Sequence, residues 1–177
     1  LNILPLDTVI VEIRGSVRTE TYDGTQYEVD GYVATIKNPL YTEADFALKD
    51  GVSAHAEGTD AGEYKMGLTS ESFVNKNDNF TKVQFIIVND GVLTINKRVV
   101  NLTSDGGNKV YDGTPLTKPK VAVDGDGFVA GEASDIKAIG TVTNVSEGEV
   151  TNTITYTTSD KFNPNNYTIN KTEGKLY

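Results

Sequence analysis

Apolar and polar residues alternate along several short runs of the chain. In the run TVIVEIR, Val9, Val11 and Ile13 share one face; in EYKMGL, Tyr64, Met66 and Leu68 do; in KVQFIIV, Val83, Phe85 and Ile87 do. EVTNTITY places Val150, Ile154 and Tyr156 together, with Asn152 interrupting the pattern. A period of two over such lengths predicts half-buried β-strands. Asn89-Asp90-Gly91 lies between two such runs and predicts a hairpin turn, because Asp and Gly tolerate positive φ. Thr42-Glu43-Ala44-Asp45 has the form of a cap on one short helical turn. No stretch reads as a long amphipathic helix, so the chain is expected to be mainly β.

The pattern occurs twice. Tyr22-Asp23-Gly24-Thr25 returns as Tyr111-Asp112-Gly113-Thr114, 89 residues later. DAGEYKMGL (60–68) matches SEGEVTNTI (146–154) at 86 residues, Asn79-Phe80-Thr81 matches Asn166-Tyr167-Thr168 at 87, and NDGVLTI (89–95) matches TEGKLY (172–177) at 83. Matches in preserved order with drifting offsets are what duplication with loop insertions leaves. Two tandem units follow, 1–95 and 96–177. Leu1-Asn2-Ile3 resembles Leu93-Thr94-Ile95, so residues 1–3 are expected to be the tail of a preceding repeat, and the chain a slice of a longer array. INKRVVNLTS, at the junction, contains no Gly or Pro and predicts a semi-rigid, elongated rod rather than a flexible linker.

A motif used once per unit is expected to be structural. Asp23-Gly24 and Asp112-Gly113 read as tight turns, and Tyr22 and Tyr111 as rings laid against a small core with the hydroxyl at its edge. Gly24 is expected at positive φ, so that Gly24→Val would strain the turn and make the first unit melt earlier. A Tyr-Asp pair contacting a ligand is the alternative.

Composition narrows the function. The 177 residues carry a net charge of −9, which argues against nucleic acid, since phosphate binding needs clustered Lys and Arg. No apolar run approaches the ~20 residues of a membrane span. The chain has no cysteine, which removes disulfides, thiol catalysis and thiolate metal sites. A cysteine-free, acidic, Thr- and Asn-rich composition is common among exported proteins of Gram-positive bacteria, an association only.

Chemistry is sparse. His55 is the single histidine, expected to face solvent, and no Gly-x-Ser-x-Gly elbow or phosphate-binding glycine motif accompanies it. No cofactor is expected. Asp124-Gly-Asp126-Gly-Phe128 is a weak calcium candidate: an EF-hand loop begun at Asp124 would put Asp135 at position 12, where the pattern has Glu, and Phe128 at position 5, where its side chain cannot ligate. There is no Trp to make a sugar platform. A Lys–Asn isopeptide crosslink would need a buried Lys, which is rare.

The string TYDGTQY, IKNPLYTEADFALKDG, AEGTDAGEYKMGL and VNDGVLTI resembles the Tyr-Asp-Gly-type repeats, and the related mucin-binding-type repeats, of large surface proteins in Firmicutes. The resemblance spans nearly the whole chain twice, though the second copy lacks a counterpart of NPLYTEADF. It implies a non-enzymatic, cell-surface or secreted stalk, spacer or adhesion segment. The partners it implies are adjacent repeats, host glycan or mucin, and surface proteins; it supplies no catalytic residues. A glycan- or protein-binding module with its site on one repeat is the alternative. Asp60-Ala61-Gly62-Glu63-Tyr64 is similar to the tyrosine corner of immunoglobulin-like domains. Two tandem Ig-like β-sandwiches are therefore expected, with β-grasp units, each holding one short helix, as the alternative.

Overall fold

The computed structural model describes residue 3 and residues 8–177; Leu1 and Asn2 of the expected repeat tail lie outside the described residues. The chain is mainly β, and among the described residues there is no helix of seven or more residues. Its contacts divide into two units. The first holds Leu1–Glu20 and Thr25–Asn96, the second Lys97–Tyr177 together with Thr21–Gly24. The expected division put all of 1–95 in one unit; the contacts of the Thr21–Gly24 turn place it with 97–177.

The first unit is built from five bent stretches: β1 (Val9–Gly15) with β2 (Val17–Thr21), β3 (Tyr27–Asp30) with β4 (Tyr32–Ile36), β5 (Phe46–Leu48) with β6 (His55–Gly58), β7 (Gly62–Lys65) with β8 (Phe73–Asn75), and β9 (Val83–Asn89) with β10 (Val92–Asn96). Antiparallel ladders join each stretch to the next in sequence: β1 to β4, β3 to β6, β5 to β8, and β7 to β10. A parallel ladder between β1 and β9 joins the last stretch to the first. The pairings thus close a ring, which leaves no stretch as a free edge. The alternation decides what fills it: Val9, Val11, Ile13, Phe46, Leu68, Phe73 and Phe85 form one buried cluster. Burying such side chains contributes about 1.5–3 kcal/mol each.

The second unit repeats this order with β11 (Arg98–Ser104), β12 (Leu116–Thr117), β13 (Val121–Gly125), β14 (Ala133–Ala138), β15 (Thr141–Val142), β16 (Val150–Thr151), β17 (Ile154–Thr158), β18 (Tyr167–Thr172) and β19 (Lys175–Leu176). Its antiparallel ladders are β11 to β13, β12 to β15, β14 to β17, and β16 to β19, and its parallel closure is β11 to β18. Registers correspond as well. Val11↔Ile36 becomes Val100↔Gly125, both partners shifting by 89 residues. Tyr64↔Leu93 becomes Val150↔Leu176, with the offsets of 86 and 83 read from the sequence. The Phe80–Tyr167 match does not survive: Val9 pairs Val83 where Arg98 pairs Tyr167, because Tyr167 starts its strand directly after the turn at Pro164–Asn166.

The order is mainly β, as expected, and does not by itself establish either finer fold. An immunoglobulin-like sandwich uses Greek-key connections between two sheets; here the antiparallel ladders described above join consecutive stretches. Alternation reports which face is buried, not which strand lies alongside. For the β-grasp alternative, the only helical piece near YTEADF is a single turn, Glu43–Asp45, capped reciprocally by Thr42 and Asp45 as the sequence predicts. The Tyr64 corner is present, its hydroxyl donating to the Asp60 carbonyl at 2.9 Å, on a meander rather than a Greek key.

Asn89-Asp90-Gly91 is not a hairpin. β9 pairs with β1, while β10 lies between β2 and β7. The tripeptide is instead a corner in one continuing stretch, crossing the corner of the first. A Cβ on Gly15 would stand 2.0 Å from the Gly91 nitrogen, so the two backbones meet where no side chain fits. The second unit builds the same corner at Gly174, whose Cβ would lie 2.4 Å from the Asp105 carbonyl carbon and the Gly106 nitrogen.

Asn152, read as a break in the alternation, faces inward and is fully buried. Its Nδ2 donates to the carbonyls of Asp105 and Lys118 at 2.9 and 2.8 Å, and its Oδ1 accepts from Gly140 N at 2.9 Å. The alternation holds through it, with a polar residue whose donors and acceptor tie three loops.

Candidate functional site

A buried polar cluster belongs to the second unit. Tyr22 is 4% exposed, and its hydroxyl donates to Glu132 Oε1 at 2.6 Å. The Tyr167 hydroxyl donates to the other carboxylate oxygen of Glu132 and accepts from Val129 N at 3.1 Å. The Tyr22 and Tyr167 rings meet edge-on, with centroids 5.7 Å apart. Arg98 binds the carbonyls of Gly127 and Asp126 at 2.7 Å each and that of Tyr22 at 3.3 Å. Glu132 is buried, which a carboxylate tolerates only when its oxygens are hydrogen-bonded. Burial, followed by the hydrogen bond to Glu132, pushes the Tyr167 hydroxyl above its ordinary range. The Tyr167 hydroxyl therefore stays protonated and donates, the Tyr22 hydroxyl donates to the same carboxylate, and the cluster is a clasp on the Thr21–Gly24 turn. Of its members the sequence flagged Tyr22 for a structural part and Tyr167 as a repeat match. Glu132, in the turn just before β14, carries no pattern that marks it.

Tyr111 corrects an expectation: it is 60% exposed and lies against no core. Its turn is nevertheless formed like the first. Gly24 and Gly113 have φ of 82° and 78°. Asp112 Oδ1 accepts from Thr114 N and Oγ1 and from Lys109 Nζ, at 2.9, 2.8 and 2.8 Å. The Lys109 hydrogen bond and then those of Thr114 hold the Asp112 carboxyl well below its usual range. Beside Tyr111 the second unit has an open cavity of about 600 Å³, lined by Val110, Tyr111, Leu116, Val142, Val145 and Tyr177 among others.

The calcium candidate is committed elsewhere. Asp126 Oδ2 accepts from Val99 N at 2.8 Å, Asp124 Oδ1 accepts from Gly125 N at 2.8 Å, and the Asp126 and Gly127 carbonyls are held by the Arg98 guanidinium. The guanidinium thus occupies two of the loop's carbonyl oxygens. The metal-type grouping found among the described residues is Glu28, His55 and Glu57, whose ligand atoms lie within 4.8 Å of one another on the β3–β6 ladder. Register makes the cluster: Glu28 faces Glu57 and Asp30 faces His55. His55 is half-buried rather than freely solvated, its Nδ1 2.6 Å from Asp30 Oδ1 and its Nε2 3.5 Å from Glu57 Oε2. The Asp30 hydrogen bond leads in raising the His55 pKa. Such carboxylates stabilise an imidazolium and equally suit a divalent ion.

The buried polar side chains among the described residues are Ser72, Ser104, Glu132, Asn152 and Asn166, with no lysine to begin an isopeptide crosslink. Among the described residues no helix is long and apolar enough to cross a membrane. A scan of protein-family models and searches of curated proteins and of solved structures each found no match to the chain.

Proposed function

We propose that the chain is a non-enzymatic, extracellular segment of a bacterial cell-surface protein, two tandem repeats of one β unit acting as stalk, spacer or adhesion segment. The observation that carries this reading is the recurrence of the whole pairing order, parallel closure included, with the offsets of the sequence repeat kept in the β1–β4 and β7–β10 ladders. A unit used in series suits a spacing role, and its stability approaches a sum of unit terms and interfaces. The buried tyrosine–glutamate clasp agrees with this: its polar groups bond one another rather than facing a substrate.

The second reading, a binding module with its site on one repeat, draws on the cavity beside Tyr111. A glycan and mucin array probed with the whole chain and with Tyr111→Ala separates the two. The spacer reading expects background signal from both. Saturable binding by the chain that Tyr111→Ala abolishes would transfer the function to the cavity.

A further inference from the structure

Tyr22 and Tyr111 occupy the same place in the same connection, yet one ring is buried and the other exposed. The β1–β4 and β11–β13 registers are related by 89 residues, and so are the two tyrosines. Both Asp-Gly pairs put glycine at the same positive φ. The Thr21–Gly24 turn is counted into the unit formed by the chain from Lys97 onward. Tyr111 instead projects beside Val110, Val145 and Tyr177, all more than half exposed, around the open cavity. Grouped apolar exposure of this kind marks an interaction surface. The turn beneath it is already ordered by Asp112, Thr114 and Lys109, so docking would cost little conformational entropy.

We propose that Tyr111-Asp112-Gly113 is a plug whose occupant is another unit of this kind, entering the counterpart of the Glu132–Tyr167 clasp as Tyr22 does here. The chemistry of the partner is fixed by that clasp. It offers a buried carboxylate to accept the tyrosine hydroxyl, a second tyrosine ring to meet it edge-on, and an arginine for the turn carbonyl. The recurrence of Tyr-Asp-Gly then has a reason: each copy is a plug that completes a neighbouring unit. This inference rests on the tandem-repeat reading.

The test extends the 177-residue chain at Tyr177 by a second copy of residues 95–177, so that Leu176-Tyr177-Ile95 restores the spacing of Leu93-Thr94-Ile95. Amide exchange of Val110–Thr114 is compared in the natural and extended proteins. The expected result is exchange slowed about tenfold or more by the added copy, the signature of a turn buried in a folded partner, and reversed by Tyr111→Ala. Exchange of that turn unchanged by a folded added copy overturns the inference while leaving the repeat reading intact. Tyr22→Ala in the natural chain is the control, expected to speed exchange at Val129 and Tyr167. If it leaves them unchanged, the clasp does not need its tyrosine and the inference falls with it. Protection of the turn by a glycan rather than by the added copy also overturns it.

Discussion

The hydroxyl of Tyr22 donates to the buried carboxylate of Glu132 at 2.6 Å, across a sequence separation of 110 residues. Tyr22→Phe removes that donor and leaves one carboxylate oxygen short of a partner in a buried site. A cost of about 1–3 kcal/mol is expected, the penalty for an unsatisfied buried group. It should fall on the second unit, observed as faster amide exchange in 97–177 at unchanged exchange in 9–20. Equal loss in both sets of amides would contradict the assignment of the turn. For the same reason Gly24→Val should weaken the second unit, not the first as the sequence suggested: its φ is 82°, and a Cβ there would face Val129 and Glu132.

Asn152→Ala should be among the most damaging substitutions in the second unit. It strips partners from the Asp105 and Lys118 carbonyls and from Gly140 N at once. Several buried groups left unpaired add to a loss of about 2–5 kcal/mol. Urea unfolding of the full chain measures it, and a loss under about 1 kcal/mol, the size of one ordinary hydrogen bond, would mean that water replaces the side chain.

The corner glycines should rank by what their Cβ would strike. Gly15→Ala meets backbone at 2.0 Å and must move two crossing strands, while Gly62→Ala meets nothing within 4 Å. Gly91→Ala is intermediate, because the atom in its way is the flexible Met66 side chain, with sulfur at 2.1 Å. Thermal unfolding should give losses in the order Gly15, Gly91, Gly62; a Gly62→Ala variant as damaged as Gly15→Ala would refute the corner.

His55 should titrate above an ordinary histidine, because Asp30 and then Glu57 favour its charged form. A raised folded pKa means stability present below the unfolded pKa of about 6.5 and lost as pH rises through the folded value. Glu28 faces the same cluster and adds negative charge. The chain should therefore weaken slightly from mildly acidic toward mildly basic pH, and Asp30→Asn should lower the pKa and flatten the dependence. NMR titration of the single imidazole reads both; a pKa at or below the ordinary value contradicts the geometry.

Local features were legible where the physics is local. Alternation placed Val9, Val11 and Ile13 inward, the Thr42–Asp45 box marked its helical turn, and Tyr64 found the carbonyl four residues upstream. Long-range pairing was not. Nothing in Val83–Asn89 says that it lies parallel to Val9–Gly15, and a glycine after Asn-Asp looks the same in a hairpin and in a crossing corner. The clasp was partly legible: repetition marked Tyr22, but it matched Tyr167 to Phe80, a match the registers do not keep, and Glu132 enters from a turn without periodicity. Asn152 misled because a polar residue in an apolar face resembles a broken pattern unless its partners are known.

The account turns on each unit being closed by a parallel ladder between its own first and last stretches. Nuclear Overhauser contacts in the full chain test this most directly, at Val11 with Phe85 and at Val100 with Ile169. The account predicts both sets, in the same parallel pattern. Contacts that pair Val9–Gly15 with Tyr167–Thr172, or Arg98–Ser104 with Val83–Asn89, would show one intertwined body and contradict the repeat.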